Sequence, residues 1–235
     1  MAALPRTIHD LEEQFAALAE HIPDTPEKQA ISVLHGIMME MWRNLRDGDG
    51  EPPYDGFPDI AELYRSAPPM EAAAINEPLA PGTPAPPFAL RDPAGDVVRL
   101  EDFRGRPVVI VFYPLDWSPG CSQQLDLYQQ ELDEFRRRDA ELVAISVDSL
   151  YSHGAWAAVR GITFPLLADF HPKGDVARAY SVWREPDGFS ERALYVIDPD
   201  GTIASSHVTP YVHHVPDIYE LFDALDEIAG VSHAR

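Results

Sequence analysis

The residues best suited to chemistry stand together in "FYPLDWSPGCSQQL", residues 112–125, which holds Cys121, the single cysteine of the chain. Cys121 follows an apolar run and a Pro-Gly turn, and it opens a helix. At a helix N-terminus the unpaired backbone N–H groups and the helix dipole favour negative charge, so a thiolate there is stabilised and nucleophilic. A lone cysteine is also commonly a buried structural thiol, and position alone leaves both readings open. One thiol does exclude an intrachain disulfide framework, a Cys-based zinc knot and a CxxC redox pair acting by itself.

The rest of the composition narrows the setting. Across 235 residues there are 39 acidic and 18 basic side chains, a net charge of −21, with 45% hydrophobic residues. That apolar content suits a globular protein rather than an acidic disordered chain. The charge excludes a nucleic-acid backbone binder, since phosphates would be repelled. The opening "MAALPRTIHDLEEQF" lacks a basic segment followed by an apolar core, and no apolar stretch approaches the ~20 residues that span a bilayer. A cytoplasmic protein with no membrane partner is the expectation.

Two helices are predicted before the α/β part. Thr7 caps a segment with Leu11, Phe15, Leu18 and Ile22 on one face. Thr25 and Pro26 then form an N-cap and first-turn pair, followed by Ile31, Leu34, Ile37, Met38, Met41, Trp42 and Leu45 at helical spacing. Residues 52–87 hold 10 of the 23 prolines and read as an extended linker, with a short amphipathic piece from Ile60 to Tyr64. The division is a helical extension with its linker over 1–76 and an α/β domain over 77–235. The apolar face of the hairpin must be covered, either by the rest of the chain or by a second copy, which predicts a homodimer.

From Phe88 onward strands and helices alternate. "FALRD" and "DVVRL" flank a turn, and "PVVIVFYP" has the continuous apolar character of a central strand. A helix is predicted from about Cys121 to Arg138, then the strand "ELVAISVD", a helix capped by Ser149, and the strand "FPLLAD". A short helix "GDVARAYSV", a hairpin "ERALYVID"/"GTIASSHV" around a "DPDG" turn, and a final helix from about Pro216 to Ile228 complete the chain. That order predicts a central mixed sheet with helices on both faces.

Within this frame the sequence resembles the peroxiredoxins, thiol peroxidases of thioredoxin-like fold. Their signature places a Pro, then Thr or Ser four residues on, then Cys three further; here these are Pro114, Ser118 and Cys121. Glu, Gln or Thr follows three residues after the cysteine, here Gln124. A family arginine opens a late strand that runs into "ID" and a turn, and Arg192 in "ERALYVIDPDG" matches it. The resemblance covers about residues 81–228 and none of the first 76.

The resemblance implies a reaction. The Cys121 thiolate attacks one peroxide oxygen while the other leaves as hydroxide or alkoxide. Arg192 stabilises the charge, Ser118 positions the peroxide, Pro114 shields the sulfur, and Gln124 supports the pocket. Cys121 becomes a sulfenic acid that a thiol must reduce. One subgroup carries a second cysteine five residues on, where this chain has Asp126. The chain therefore resembles the one-cysteine kind. Its reductant is external, either a low-molecular-weight thiol or a thioredoxin- or glutaredoxin-type protein, and neither metal nor organic cofactor is called for.

Two other readings are weighed. "WSPGC" is similar to the thioredoxin W-C-x-x-C with serine where the attacking cysteine belongs, which removes disulfide exchange by the usual route. A redox sensor or partner-binding protein of the same fold would oxidise Cys121 without catalytic turnover. Elsewhere, His207, His213 and His214 are weak as a metal set for want of an acidic third ligand at suitable spacing. Arg136, Arg137 and Arg138 read as a solvated helix end.

Overall fold

The structure is a computed structural model that describes residues 72–231. The two helices expected within residues 1–45, and the piece at Ile60 to Tyr64, lie outside the described residues. No helix among the described residues is long and apolar enough to cross a membrane.

Among the described residues nine strands form two sheets. The larger is built from β1 (Ala89–Arg91), β2 (Val97–Arg99), β3 (Val108–Phe112), β4 (Glu141–Ser146), β5 (Leu166–Ala168), β8 (Ala193–Ile197) and β9 (Ile203–Val208), in the order β2-β1-β5-β4-β3-β8-β9. β3, β4 and β5 run parallel, whereas β8 and β9 join as antiparallel strands, giving the expected mixed sheet. A two-stranded ribbon, β6 (Trp183–Arg184) with β7 (Phe189–Ser190), was not predicted from the sequence, and each strand is only 2 residues long. Runs so short carry no periodicity to read.

Every residue of β3 and β8 is buried, so both faces of the sheet are covered. Side chains alternate along a strand, and this splits the core in two. Val109, Val111, Tyr113, Leu142, Ala144, Leu194 and Val196 face one layer together with Cys121. Val108, Ile110, Phe112, Val143, Ile145, Ala193 and Tyr195 face the other. The first layer is closed by α1 (Pro119–Gln130), α2 (Leu132–Arg137), α3 (Leu150–Arg160) and α5 (Ile218–Ile228). The second takes α4 (Asp175–Ala179).

The helix expected from Cys121 to Arg138 is divided at Glu131, although neither Pro nor Gly marks the break. The buried register Leu125, Tyr128, Leu132 and Phe135 carries across it. Arg138 departs from a solvated end: its guanidinium bonds both oxygens of Asp226 at 2.8 and 2.9 Å and packs 4.6 Å from the Phe222 ring centroid, tying α2 to α5.

Asp169 follows β5 and is 2% exposed. Its carboxylate accepts the N–H groups of Val176 and Ala177 at 3.2 and 2.9 Å, taking the capping place that Gly174 cannot fill with a side chain. Burial outweighs these bonds and raises its pKa to about 6. Between about pH 4 and pH 6 the native state keeps a proton that the unfolded chain has released, so this group makes stability fall as pH rises, by on the order of 2 kcal/mol. Denaturant unfolding of the native sequence and of Asp169→Asn across that window is expected to differ by this decline, with the variant flatter.

Candidate active site

The end of β3 and the start of α1 build the site. Tyr113 continues β3 by donating its N–H to the Ile145 carbonyl at 3.1 Å, and the loop through Ser118 then turns the chain into α1. Pro114 is buried in this loop. Trp117 adopts φ 62°, a left-handed conformation that costs a bulky residue energy and must be held by its surroundings. Its indole Nε1 donates to Ser152 Oγ at 3.2 Å. Pro119 opens α1, where its missing N–H costs nothing.

Cys121 lies in the first turn of α1 and is 0% exposed. Arg192, immediately before β8, is 1% exposed and reaches it. Its Nη2 stands 3.4 Å from the Cys121 Sγ, Nε donates to the Val212 carbonyl at 2.8 Å, and Nη1 donates to Gln124 Oε1. A planar guanidinium held at two nitrogens has no freedom to aim the third elsewhere. Two partners are neutral oxygens, so the buried positive charge is directed at the sulfur. Gly120 leaves room for this approach: a Cβ there would crowd Arg192 Nη2 at 3.0 Å and touch the His213 carbonyl at 3.6 Å.

Gln124 lies one turn beyond Cys121 and bridges two groups. Its Oε1 accepts from Arg192, while Nε2 donates to Tyr128 Oη at 3.0 Å. Burial raises the Tyr128 pKa to about 12, so this hydroxyl stays neutral through the physiological range. Ser118 is the N-cap of α1, yet its side chain makes no capping bond. Its Oγ is buried with no hydrogen-bond partner, as is that of Ser122. A buried hydroxyl without a partner costs free energy, and Ser118 stands three residues before the sulfur, ready to bond a small polar ligand.

Beneath the loop is a polar cluster that sequence reasoning missed. Asp116 is 6% exposed and accepts from Tyr113 Oη at 2.8 Å and from Ser152 Oγ at 2.7 Å. His153 Nδ1, on α3, lies 3.1 and 3.0 Å from its two oxygens. The Asp116 N–H in turn donates to Asp148 at 2.8 Å. Burial, then the Asp116 carboxylate nearby, raise the Asp148 pKa, and the same two causes lift Tyr113 far above a free phenol. The cluster fixes both ends of the segment that carries Pro114 and Ser118. Nothing in the spacing of His153, 37 residues from Asp116, announces the pairing.

Of the five residues singled out from the sequence, three therefore converge. Cys121, Arg192 and Gln124 are in bonding contact, with Ser118 and Pro114 in the loop that delivers the cysteine. The histidines do not. His213 and His214 have ring centroids 4.5 Å apart, whereas His207 stands 3.7 Å from Glu220. Among the described residues no group of three or more His, Cys, Asp or Glu side chains is placed to hold a metal ion.

The sequence profile described as the AhpC/TSA family matches residues 81–206, more than half of the chain. The chain belongs to the AhpC/TSA family. Its relatives include alkyl hydroperoxide reductase E of Mycobacterium tuberculosis, 42% identical over 123 residues, which span 52% of this chain and 80% of that protein. The chloroplastic peroxiredoxin Q of Sedum lineare is 37% identical over 151 residues, 63% of this chain and 78% of the other. Among solved structures, peroxidoxin BcpB from Mycobacterium tuberculosis superposes with a TM-score of 0.57 at 27% identity, covering 66% of this chain and 99% of that one. This peroxiredoxin has the thioredoxin-like fold and is a thiol-dependent peroxidase. Its single cysteine fits the one-cysteine mechanism, with a peroxide as substrate and a thiol as reductant.

Proposed function

We propose that Cys121 is the nucleophile of this peroxidase and that Arg192, Ser118, Pro114 and Gln124 complete its site. The observation that carries the assignment is the Arg192 guanidinium, buried and 3.4 Å from the Cys121 sulfur. In the first step an electron pair on the thiolate attacks the terminal peroxide oxygen. An S–O bond forms, the O–O bond breaks, and the second oxygen departs as alkoxide or hydroxide to be protonated. Arg192 stabilises the charge moving from sulfur to the leaving oxygen. The unpartnered Ser118 hydroxyl bonds the peroxide and aligns it with sulfur. Pro114 keeps water from the sulfur, and Gln124 holds the guanidinium in place.

The resulting sulfenic acid condenses with one external thiol, releasing water and giving a mixed disulfide. A second thiol then displaces Cys121 as thiol. Hydrogen peroxide and organic hydroperoxides both satisfy the first step. For the second, a low-molecular-weight thiol suits the buried sulfur best, because a thioredoxin- or glutaredoxin-type protein requires the first turn of α1 to open locally. A cycle ending on an external thiol suits the reducing cytoplasm. A homodimer completes the proposal, supported by the exposed aromatic side chains Tyr151, Phe170 and Tyr219.

Intact-mass analysis after one equivalent of hydrogen peroxide tests the chemistry. One oxygen added at Cys121, removed again by a screened thiol with continued peroxide consumption, is the expected result. A thiol that stays unmodified in the native protein would overturn the assignment.

A further inference from the structure

Residues just ahead of the family-like region lie against the machinery that aims Arg192. The segment from Ala72 to Asn76 pairs with the loop that follows β9. Val212 N–H donates to the Ala72 carbonyl at 2.9 Å, Ala74 N–H donates to the Pro210 carbonyl at 2.9 Å, and Ala73 bridges Tyr211 in antiparallel register. Val212 is the residue whose own carbonyl receives Arg192 Nε.

A second anchor lies beside Arg192 in the chain. Glu191 is 1% exposed, and one of its carboxylate oxygens accepts from Ile75 N–H at 2.9 Å, Asn76 N–H at 3.2 Å and Asn76 Nδ2 at 3.1 Å. Its other oxygen accepts from Arg184 Nη1 at 2.8 Å, and the same nitrogen donates to the Ala73 carbonyl at 2.8 Å. Asn76 Nδ2 also donates to the Trp183 carbonyl at 2.9 Å. A fully buried ion pair is thus completed by backbone groups of this strap, which supply the further bonds that such a pair needs.

We infer that residues 72–76 form a positioning strap for peroxide reduction: by fixing the Val212 carbonyl and Glu191 it holds the Arg192 guanidinium on the Cys121 sulfur. The strap acts through the role given above to Arg192. Val212 lies beyond the end of β9 and its N–H finds its partner in the strap, so this pairing, beside the Thr209 Oγ1 bond to the Tyr211 carbonyl and the burial of Val212 itself, fixes the carbonyl that orients Arg192 Nε. Loss of the strap releases one of the two nitrogens that hold the guanidinium plane. The sulfur then keeps its place in α1 but loses a fixed donor.

Two variants of the full chain test this. Ala74→Pro deletes the N–H that bonds Pro210, and Asn76→Ala removes two side-chain bonds without touching the backbone. The readout is the ratio of two rate constants at one pH: oxidation of Cys121 by hydrogen peroxide and its alkylation by iodoacetamide. General loosening exposes the sulfur and does not slow alkylation, whereas loss of aim slows oxidation more than alkylation, since only the peroxide step places charge on a leaving oxygen. Each variant is expected to lower the ratio about tenfold, the scale of a small misplacement of a reacting group. Ala74→Gly, which keeps its N–H, is expected to retain the native ratio. Should Ala74→Pro fail to fold, Asn76→Ala carries the test. An unchanged ratio in the folded variants, with a lowered ratio in Arg192→Lys, would sink the strap alone. An unchanged ratio in Arg192→Lys as well would remove the role of Arg192 itself.

Discussion

Cys121→Ser is expected to reduce peroxide consumption to the uncatalysed background with every thiol reductant. The chain has one thiol, and the serine hydroxyl is a weak nucleophile that cannot form the sulfenic acid on which the cycle depends. The fold should survive. Cys121 packs in the core among Val111, Tyr113 and Leu125, and serine is of similar size. The new hydroxyl would also inherit Arg192 Nη2 as a donor, which limits the cost of burying it. Peroxide consumption assayed with dithiothreitol, beside thermal unfolding of both proteins, checks the result. Residual turnover in a folded Cys121→Ser chain would place the nucleophile elsewhere, and in a one-cysteine chain that would exclude thiol chemistry altogether.

The second large effect is expected at Arg192. Arg192→Lys keeps one positive charge but gives up the planar fork that bonds Val212, Gln124 and Cys121 together. A lysine ammonium reaching one of these partners leaves the others unpaired in a buried site. Removing one preorganised donor at a developing charge typically costs about 100-fold or more in rate, or about 3 kcal/mol of transition-state stabilisation. Stopped-flow oxidation of Cys121 by hydrogen peroxide should therefore slow by that order. The cost falls on the chemical step rather than on access, so the variant is expected to be slower than the native protein by the same factor at every peroxide concentration. A loss below threefold would mean that charge at this place, and not its geometry, is what the reaction uses.

Much of the fold was legible because burial leaves a pattern. The continuous apolar run of β3 and the helical register of α1 and α5 each record which face meets the core. The break at Glu131 left no such mark, and neither did β6 and β7, which are too short for any period. The candidate site was legible in a different way. Cys121 declared itself by standing after a Pro-Gly turn at a helix start, and Arg192 was located only through resemblance to a family. Asp116 and His153 were not found at all. A buried polar pair between a loop and a helix has no periodicity, and either residue alone reads as an ordinary surface group.

The sequence by itself determined that this protein has one thiol, placed where a helix begins, within an α/β chain of peroxiredoxin pattern. From that alone it followed that the catalytic cycle must close on an external thiol. The tertiary structure decided how the thiol is addressed. Arg192, 71 residues away, arrives through the antiparallel pairing of β3 with β8, and its guanidinium plane is set by the Val212 carbonyl and Gln124. The strap at residues 72–76 belongs to the same category. It read as linker because three alanines, an isoleucine and an asparagine carry no amphipathic signal, and most of its bonds run through backbone groups that every residue possesses. Side-chain chemistry is written in residue types and spacing, whereas the aim of a buried cation depends on which distant backbone carbonyl the fold brings beside it.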